Sequence, residues 1–128
     1  FLTFTTPPNL QSAVAYGLNK SDDYFIGLAA DMQRRRDKLA AGLNAVGLNT
    51  LPAGGSYFVI ADITPFMAEP DDAEFCRRLT AEIGVAAIPV SAFYAGEPPR
   101  HLIRFCFCKS DAVLDKALDR LSRLKPFA

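Results

Sequence analysis

Arg104 stands in the middle of an otherwise apolar run, Leu102-Ile103-Arg104-Phe105-Cys106-Phe107-Cys108, set between Pro99 and Ser110-Asp111. Aromatic and aliphatic residues bounded in this way predict a strand over 100–109. On a strand Leu102, Arg104, Cys106 and Cys108 share one face, and Ile103, Phe105 and Phe107 share the other. A guanidinium in such a run is expensive to bury without an anion. Its planar fork suits a carboxylate, held by two parallel hydrogen bonds. That carboxylate belongs either to an Asp or Glu of the chain itself or to a ligand. An edge strand whose arginine reaches water is a third arrangement. The strand alone leaves all three open.

The other reactive side chains are few. Cys76, Cys106 and Cys108 are the three cysteines. An odd count argues against a disulfide framework. Cys106 and Cys108 share a strand face, but a zinc site needs about four ligands, and His101 has the opposite parity. Packed, reduced thiols are expected, with no metal, and with them a reducing compartment such as the cytoplasm. The 128 residues are half hydrophobic and carry no formal net charge. That suits one domain with a modest core. It supplies no basic field for nucleic acid and no polybasic segment for a membrane. No apolar run is long enough to cross a bilayer, and no signal peptide is visible. Since the first residue is Phe1, the chain is expected either to begin inside a longer one or to have lost its start by tag removal or proteolysis.

The elements that must position Arg104 follow from periodicity. Residues 1–9 read as an extended lead-in broken by Pro7-Pro8. Leu10, Val14 and Leu18 recur at helical spacing. Ser21-Asp22-Asp23 caps a second, longer helix whose stripe is Phe25, Leu28, Met32, Leu39, Leu43 and Val46, ending at Gly47. Arg34-Arg35-Arg36 interrupts the stripe, as in a helix passing from one core to another or in a solvated stretch of a curved surface helix. Consecutive helical positions diverge, so the triplet makes no nucleic-acid patch by itself. A short strand over 48–51, the turn Pro52-Ala53-Gly54-Gly55 and a strand over 56–63 predict a hairpin. No helix or Walker lysine follows the glycines, which excludes a phosphate loop. Asp71 caps a helix with the face Phe75, Leu79 and Ile83, closed by Gly84. A short strand over 85–88, a loop over 90–99, the Arg104 strand and a last helix capped by Ser110 complete the order. The expectation is an α+β fold: a small mixed or antiparallel sheet with helices on one face, preceded by a long linking helix.

At this point the chain resembles the C-terminal part of the class I and II aminotransferases, the fold type I pyridoxal-phosphate enzymes. The resemblance is carried by Arg34-Arg35-Arg36-Asp37, by Gly54-Gly55-Ser56-Tyr57-Phe58, by the run from Gly84 to Tyr94 and by Ile103 to Lys109. Within the family it is most similar to the kynurenine, glutamine and methionine aminotransferases, and some N-succinyldiaminopimelate aminotransferases look close. The resemblance implies that residues 47–128 are the small domain and 1–46 the lead-in and linking helix, which meets a larger cofactor domain upstream. It implies that Arg104 holds the substrate α-carboxylate and that Tyr57 lines the pocket. Ser91 and Phe93 would lie near the site, and Thr5 and Thr6 near the active site of a partner subunit in a homodimer. The implied substrates are an amino acid and a 2-oxo acid, and the implied cofactor is pyridoxal 5'-phosphate. The chain departs from the family in lacking the Ser-x-x-Lys stretch whose lysine bonds the cofactor. Lys20, Lys38, Lys109, Lys116 and Lys125 match no such motif. The chain alone is therefore expected to be inactive, with no catalytic residue of its own and no tightly held cofactor. The alternative is a standalone carboxylate-binding or interaction module derived from such a domain.

Overall fold

The computed structural model describes residues 7–127. Helix α1 spans Pro8–Leu18 and α2 spans Asp22–Ala45. Strand β1 (Asn49–Thr50) and strand β2 (Phe58–Asp62) follow, then a 3-10 turn over Thr64–Phe66. Helix α3 (Asp72–Arg78) continues as one wide turn of π-helix over Leu79–Ile83. Strand β3 (Ile88–Pro89), a 3-10 turn over Val90–Phe93, strand β4 (Leu102–Cys106) and helix α4 (Asp111–Leu121) complete the order.

The chain forms two compact units, Phe1–Asp31 and Met32–Ala128. In the first, α1 starts at Pro8 rather than after Asn9. Proline fits the first helical position because its missing N–H would have no partner there. The Asn19 side chain closes α1 on the Ala15 carbonyl, and Lys20 donates to the Tyr16 hydroxyl at 2.7 Å. None of the described residues of this unit is buried. Leu10, Val14 and Leu18 are exposed, as are Tyr24, Phe25 and Leu28 at the start of the α2 stripe.

The second unit carries the core. Its sheet has the order β1-β2-β4-β3, antiparallel at every step. The predicted hairpin is present as β1 and β2. β2 and β4 pair with Val59 opposite Phe105 and Ala61 opposite Ile103. These four residues form the buried sheet face. Against it, in one cluster, pack Leu39 and Leu43 of α2, Phe75 and Leu79 of the α3 segment, and Leu114 and Leu121 of α4. Burial of a side chain such as Phe75 contributes about 2–3 kcal/mol. The expected parity of the Arg104 strand holds, with Ile103, Phe105 and Phe107 inside and Leu102, Arg104 and Cys106 half-exposed. α2 and α4 come so close that a methyl group on Gly42 would run into the Leu118 side chain.

Three local expectations change. The strand expected over 85–88 is only Ile88–Pro89, because the wide π turn and left-handed Gly84 (φ 75°) delay the extended backbone. Pro89 is tolerated there because β3 is an edge strand. The loop expected over 90–99 begins as a 3-10 turn. Ser110 takes the cap position of α4 without a side-chain capping bond, whereas Asp71 caps α3 as expected, accepting from the Ala73 and Glu74 N–H groups at 3.0 Å.

The arginine triplet is tied down locally. Arg34 grips Asp111 through both carboxylate oxygens at 2.9 and 3.1 Å. That bond, with the positive charges of Arg34 and Lys38, holds the Asp111 carboxyl below the usual carboxylate range. Arg36 donates to the Ala53 carbonyl at 3.0 Å. No described helix is long and apolar enough to cross a membrane.

All three cysteines are free, with Cys76 buried, Cys106 half-exposed and Cys108 exposed. Burial first, and the nearby Asp72 charge second, push the Cys76 thiol from 9.0 up to about 12. The folded value lies above the unfolded one, so this thiol stabilises the fold fully below pH 9.0 and loses that contribution as pH climbs toward 12. Two outcomes are expected. A thiol-reactive disulfide reagent modifies Cys108 first and Cys76 only on unfolding. Stability measured by urea falls across that alkaline window, and less so in Cys76→Ala. A Cys76 that reacts as fast as Cys108 would contradict the buried placement.

Candidate functional site

The half-exposed face of the sheet carries Arg104 at its centre. Register places Ile60 of β2 on one side of it and Ile88 of β3 on the other. Phe58 and Cys106 face each other further along. The guanidinium lies over two aromatic rings, with its Cζ 4.5 Å from the Phe58 centroid and 4.7 Å from the Phe93 centroid. A cation over a ring face is attracted by the ring quadrupole, about 0.5–1 kcal/mol at exposed sites and more when water is excluded. Such rings orient the guanidinium plane without using its N–H donors.

No carboxylate among the described residues pairs with Arg104. Asp62, whose strand parity puts it on the same face, already spends Oδ1 on the Thr64 N–H at 2.8 Å and on its hydroxyl. The fork of Arg104 therefore keeps its donors for a group from outside the described residues. An arginine braced by apolar rings and aliphatic neighbours, with its donors unspent, is suited to a planar anion such as a carboxylate.

The other expected site residues are distributed as follows. Phe93 joins the site as one wall of the Arg104 slot, although its side chain is 60% exposed. Tyr57 stands one ring away. It meets Phe58 edge to face at 5.4 Å, is 54% exposed and accepts the Phe107 N–H on its carbonyl at 2.9 Å. Ser56 just before it has a left-handed backbone (φ 69°), uncommon for a residue other than glycine. Ser91 enters through its backbone, whose N–H donates to Asp72 Oδ2 at 2.7 Å. Thr5 and Thr6 lie outside the described residues.

Two contributors were not legible in the sequence. Phe58 looked like one strand aromatic among several, and only the β2–β4 register sets it over Arg104. Asp72 was hidden beside the more obvious cap Asp71. Lys20 is bound to Tyr16, Lys38 pairs with Asp115, and Lys109 and Lys116 line a separate apolar cavity of about 500 Å³ beside α4. Among the described residues no cluster of three His, Cys, Asp or Glu could hold a metal ion.

The family model for aminotransferases of class I and II matches residues 2–121. The chain belongs to this family. It is 41% identical over 97% of its length to a probable N-succinyldiaminopimelate aminotransferase of Mycobacterium tuberculosis, of which it covers 33%. The solved structure of that organism's N-succinyldiaminopimelate aminotransferase superposes with a TM-score of 0.85, covering 94% of this chain and 32% of that one. Methionine aminotransferase of Escherichia coli is 40% identical over 97% of the chain, which covers 32% of it. Its structure also gives a TM-score of 0.85. Human kynurenine–oxoglutarate transaminase 1 is 34% identical, with 95% of this chain and 34% of the relative covered. The chain thus spans about a third of the length of the curated relatives it matches.

Because Arg104 pairs with no acid among the described residues, its removal breaks no ion pair there. Arg104→Met is expected to cost less than about 2 kcal/mol in urea unfolding, the scale of two ring contacts. A loss of about 3–5 kcal/mol, typical of a buried charge left without its partner, would reveal an internal acid and close the slot to ligands.

Proposed function

We propose that this chain is the C-terminal small domain of a pyridoxal-phosphate-dependent aminotransferase, which moves an amino group between an amino acid and a 2-oxo acid. The observation that carries the reading is the Arg104 guanidinium, braced by Phe58 and Phe93 and bonded to no acid among the described residues. Arg104 receives the substrate α-carboxylate through its two-pronged fork. Phe58 and Phe93 hold the fork in one plane, and Tyr57 extends the aromatic wall toward the substrate side chain. Fixing the carboxylate removes rotational freedom at the reacting carbon, which lowers the barrier by positioning alone.

The cofactor supplies the electron sink for the chemistry when bound. The residues of this chain do not fit it, since none of the five lysines stands in a matching motif and Lys20 and Lys38 are engaged elsewhere. The lysine and the phosphate-binding groups therefore belong to a domain outside this chain, and the chain alone does not transaminate. Residues 1–46 then form the lead-in and linking helix and 47–128 the small domain. The exposed Tyr24, Phe25 and Leu28 are the surface that meets the larger domain, and Thr5 and Thr6 approach the partner subunit of a homodimer.

The test begins with the protein purified from its native source. Its intact mass is expected to lie far above 13.9 kDa, with pyridoxal absorbance. Arg104→Ala in that protein is expected to lower kcat/KM for its amino acid by about 30-fold or more, as when one member of a buried hydrogen-bonded charge pair is lost. An unchanged kcat/KM would remove Arg104 from the substrate site. A native mass equal to this chain would replace the enzyme with a standalone carboxylate-binding or interaction module.

A further inference from the structure

Phe93 presents a question that its own packing does not answer. Its side chain is 60% exposed, so burial does not hold the ring over Arg104. Its place is inherited from the 3-10 turn Val90–Phe93. That turn is held at its start by the sheet, where Pro89 pairs with Ile103. Within the turn, the Tyr94 N–H donates to the Ser91 carbonyl at 3.1 Å. Val90, the first residue of the turn, is buried, and beyond it the anchor is Asp72. Its Oδ2 accepts the Ser91 N–H at 2.7 Å, joining the first residue of α3 to the second residue of the turn.

Asp72 is the one charged residue that is buried among the described residues, with no exposed surface at all. Its second oxygen, Oδ1, is buried and has no hydrogen-bond partner among the described residues. A negative charge is favoured in the first turn of α3, but half-buried Glu74 and the Asp71 cap already serve that end without full burial. A buried charge carries a large desolvation cost, and an apolar side chain of similar size serves as well or better. What a carboxylate adds is a strong, directional acceptor. Here that acceptor is aimed at a single backbone N–H, two residues before the ring that walls the Arg104 slot.

We propose that Asp72 is a positioning residue for the Arg104 site: through the Ser91 N–H it sets the Val90–Phe93 turn so that Phe93 lies against the guanidinium. The functional consequence rests on the carboxylate-binding reading of Arg104, but the placement itself does not. Without this bond the turn keeps its sheet anchor at Pro89 and loses the anchor nearest Phe93. The ring then leaves the slot, and the guanidinium keeps only Phe58.

The experiment is NMR of the full 128-residue chain without ligand, reading the Arg104 Hδ protons. Protons over a ring face are shifted upfield, and the Phe93 centroid lies 4.7 Å from Cζ, so the change in Phe93→Leu measures the share due to Phe93. In Asp72→Ala at least half of that share is expected to disappear, while the share removed by Phe58→Leu persists. In Asp72→Asn the amide oxygen still accepts from Ser91, so the Phe93 share is expected to remain. An alanine variant that folds and keeps the full share would overturn the proposal. So would a folded asparagine variant that loses it. If neither variant folds, Asp72 serves the stability of the core and the positioning role falls. Because no ligand is present, a failure of the carboxylate reading leaves this result untouched.

Discussion

An arginine on a half-buried apolar sheet face must satisfy its donors or carry the cost of leaving them unspent. That constraint organises the structure around Arg104. The strand supplies a rigid, extended backbone, so the guanidinium leaves the sheet at a fixed point beside Ile60 and Ile88. Two rings then hold the charged plane by attraction to their faces, a contact that consumes no N–H. A salt bridge would have fixed the arginine more firmly, but it would also have filled the slot. The arrangement trades local stability for an oriented guanidinium that no acid among the described residues occupies.

The rest of the second unit can be understood as the support for that strand. β4 is central, paired with β2 on one side and the short edge strand β3 on the other. Its inner residues, Ile103, Phe105 and Phe107, lock it to the helices through the core, so the outer face has little freedom to shift. The close crossing of α2 and α4 at Gly42 and Leu118 and the Arg34–Asp111 fork fasten those helices to each other. Rigid elements on one side and a slot of rings on the other is the division of labour expected of a binding site built on a scaffold.

Much of this was legible in the residues. The period-two alternation of the Arg104 strand separated its buried and open faces correctly, because one inward residue in two is enough to fix register against a core. Leu39 and Leu43 in α2 and Phe75 and Leu79 in the α3 segment read as core for the same reason at helical period. The surroundings of Arg104 were less legible. Phe58 depends on which residue of β2 faces which residue of β4, and no local pattern encodes that pairing. Asp72 depends on a turn 19 residues away in sequence. The strand expected over 85–88 shortened because a π turn costs extra backbone before the sheet, a feature without a clear signal in the residues. The family motifs added what periodicity could not, namely the proposal that the arginine on this strand receives a carboxylate.

The most direct measurement is a crystal structure of the full-length protein that carries this chain, soaked with a 2-oxo acid. The account predicts the ligand carboxylate forked on Arg104, with both N···O distances about 2.7–2.9 Å and the rings of Phe58 and Phe93 against the guanidinium. An Arg104 paired with an Asp or Glu of the protein itself, with the ligand carboxylate held elsewhere, would contradict it.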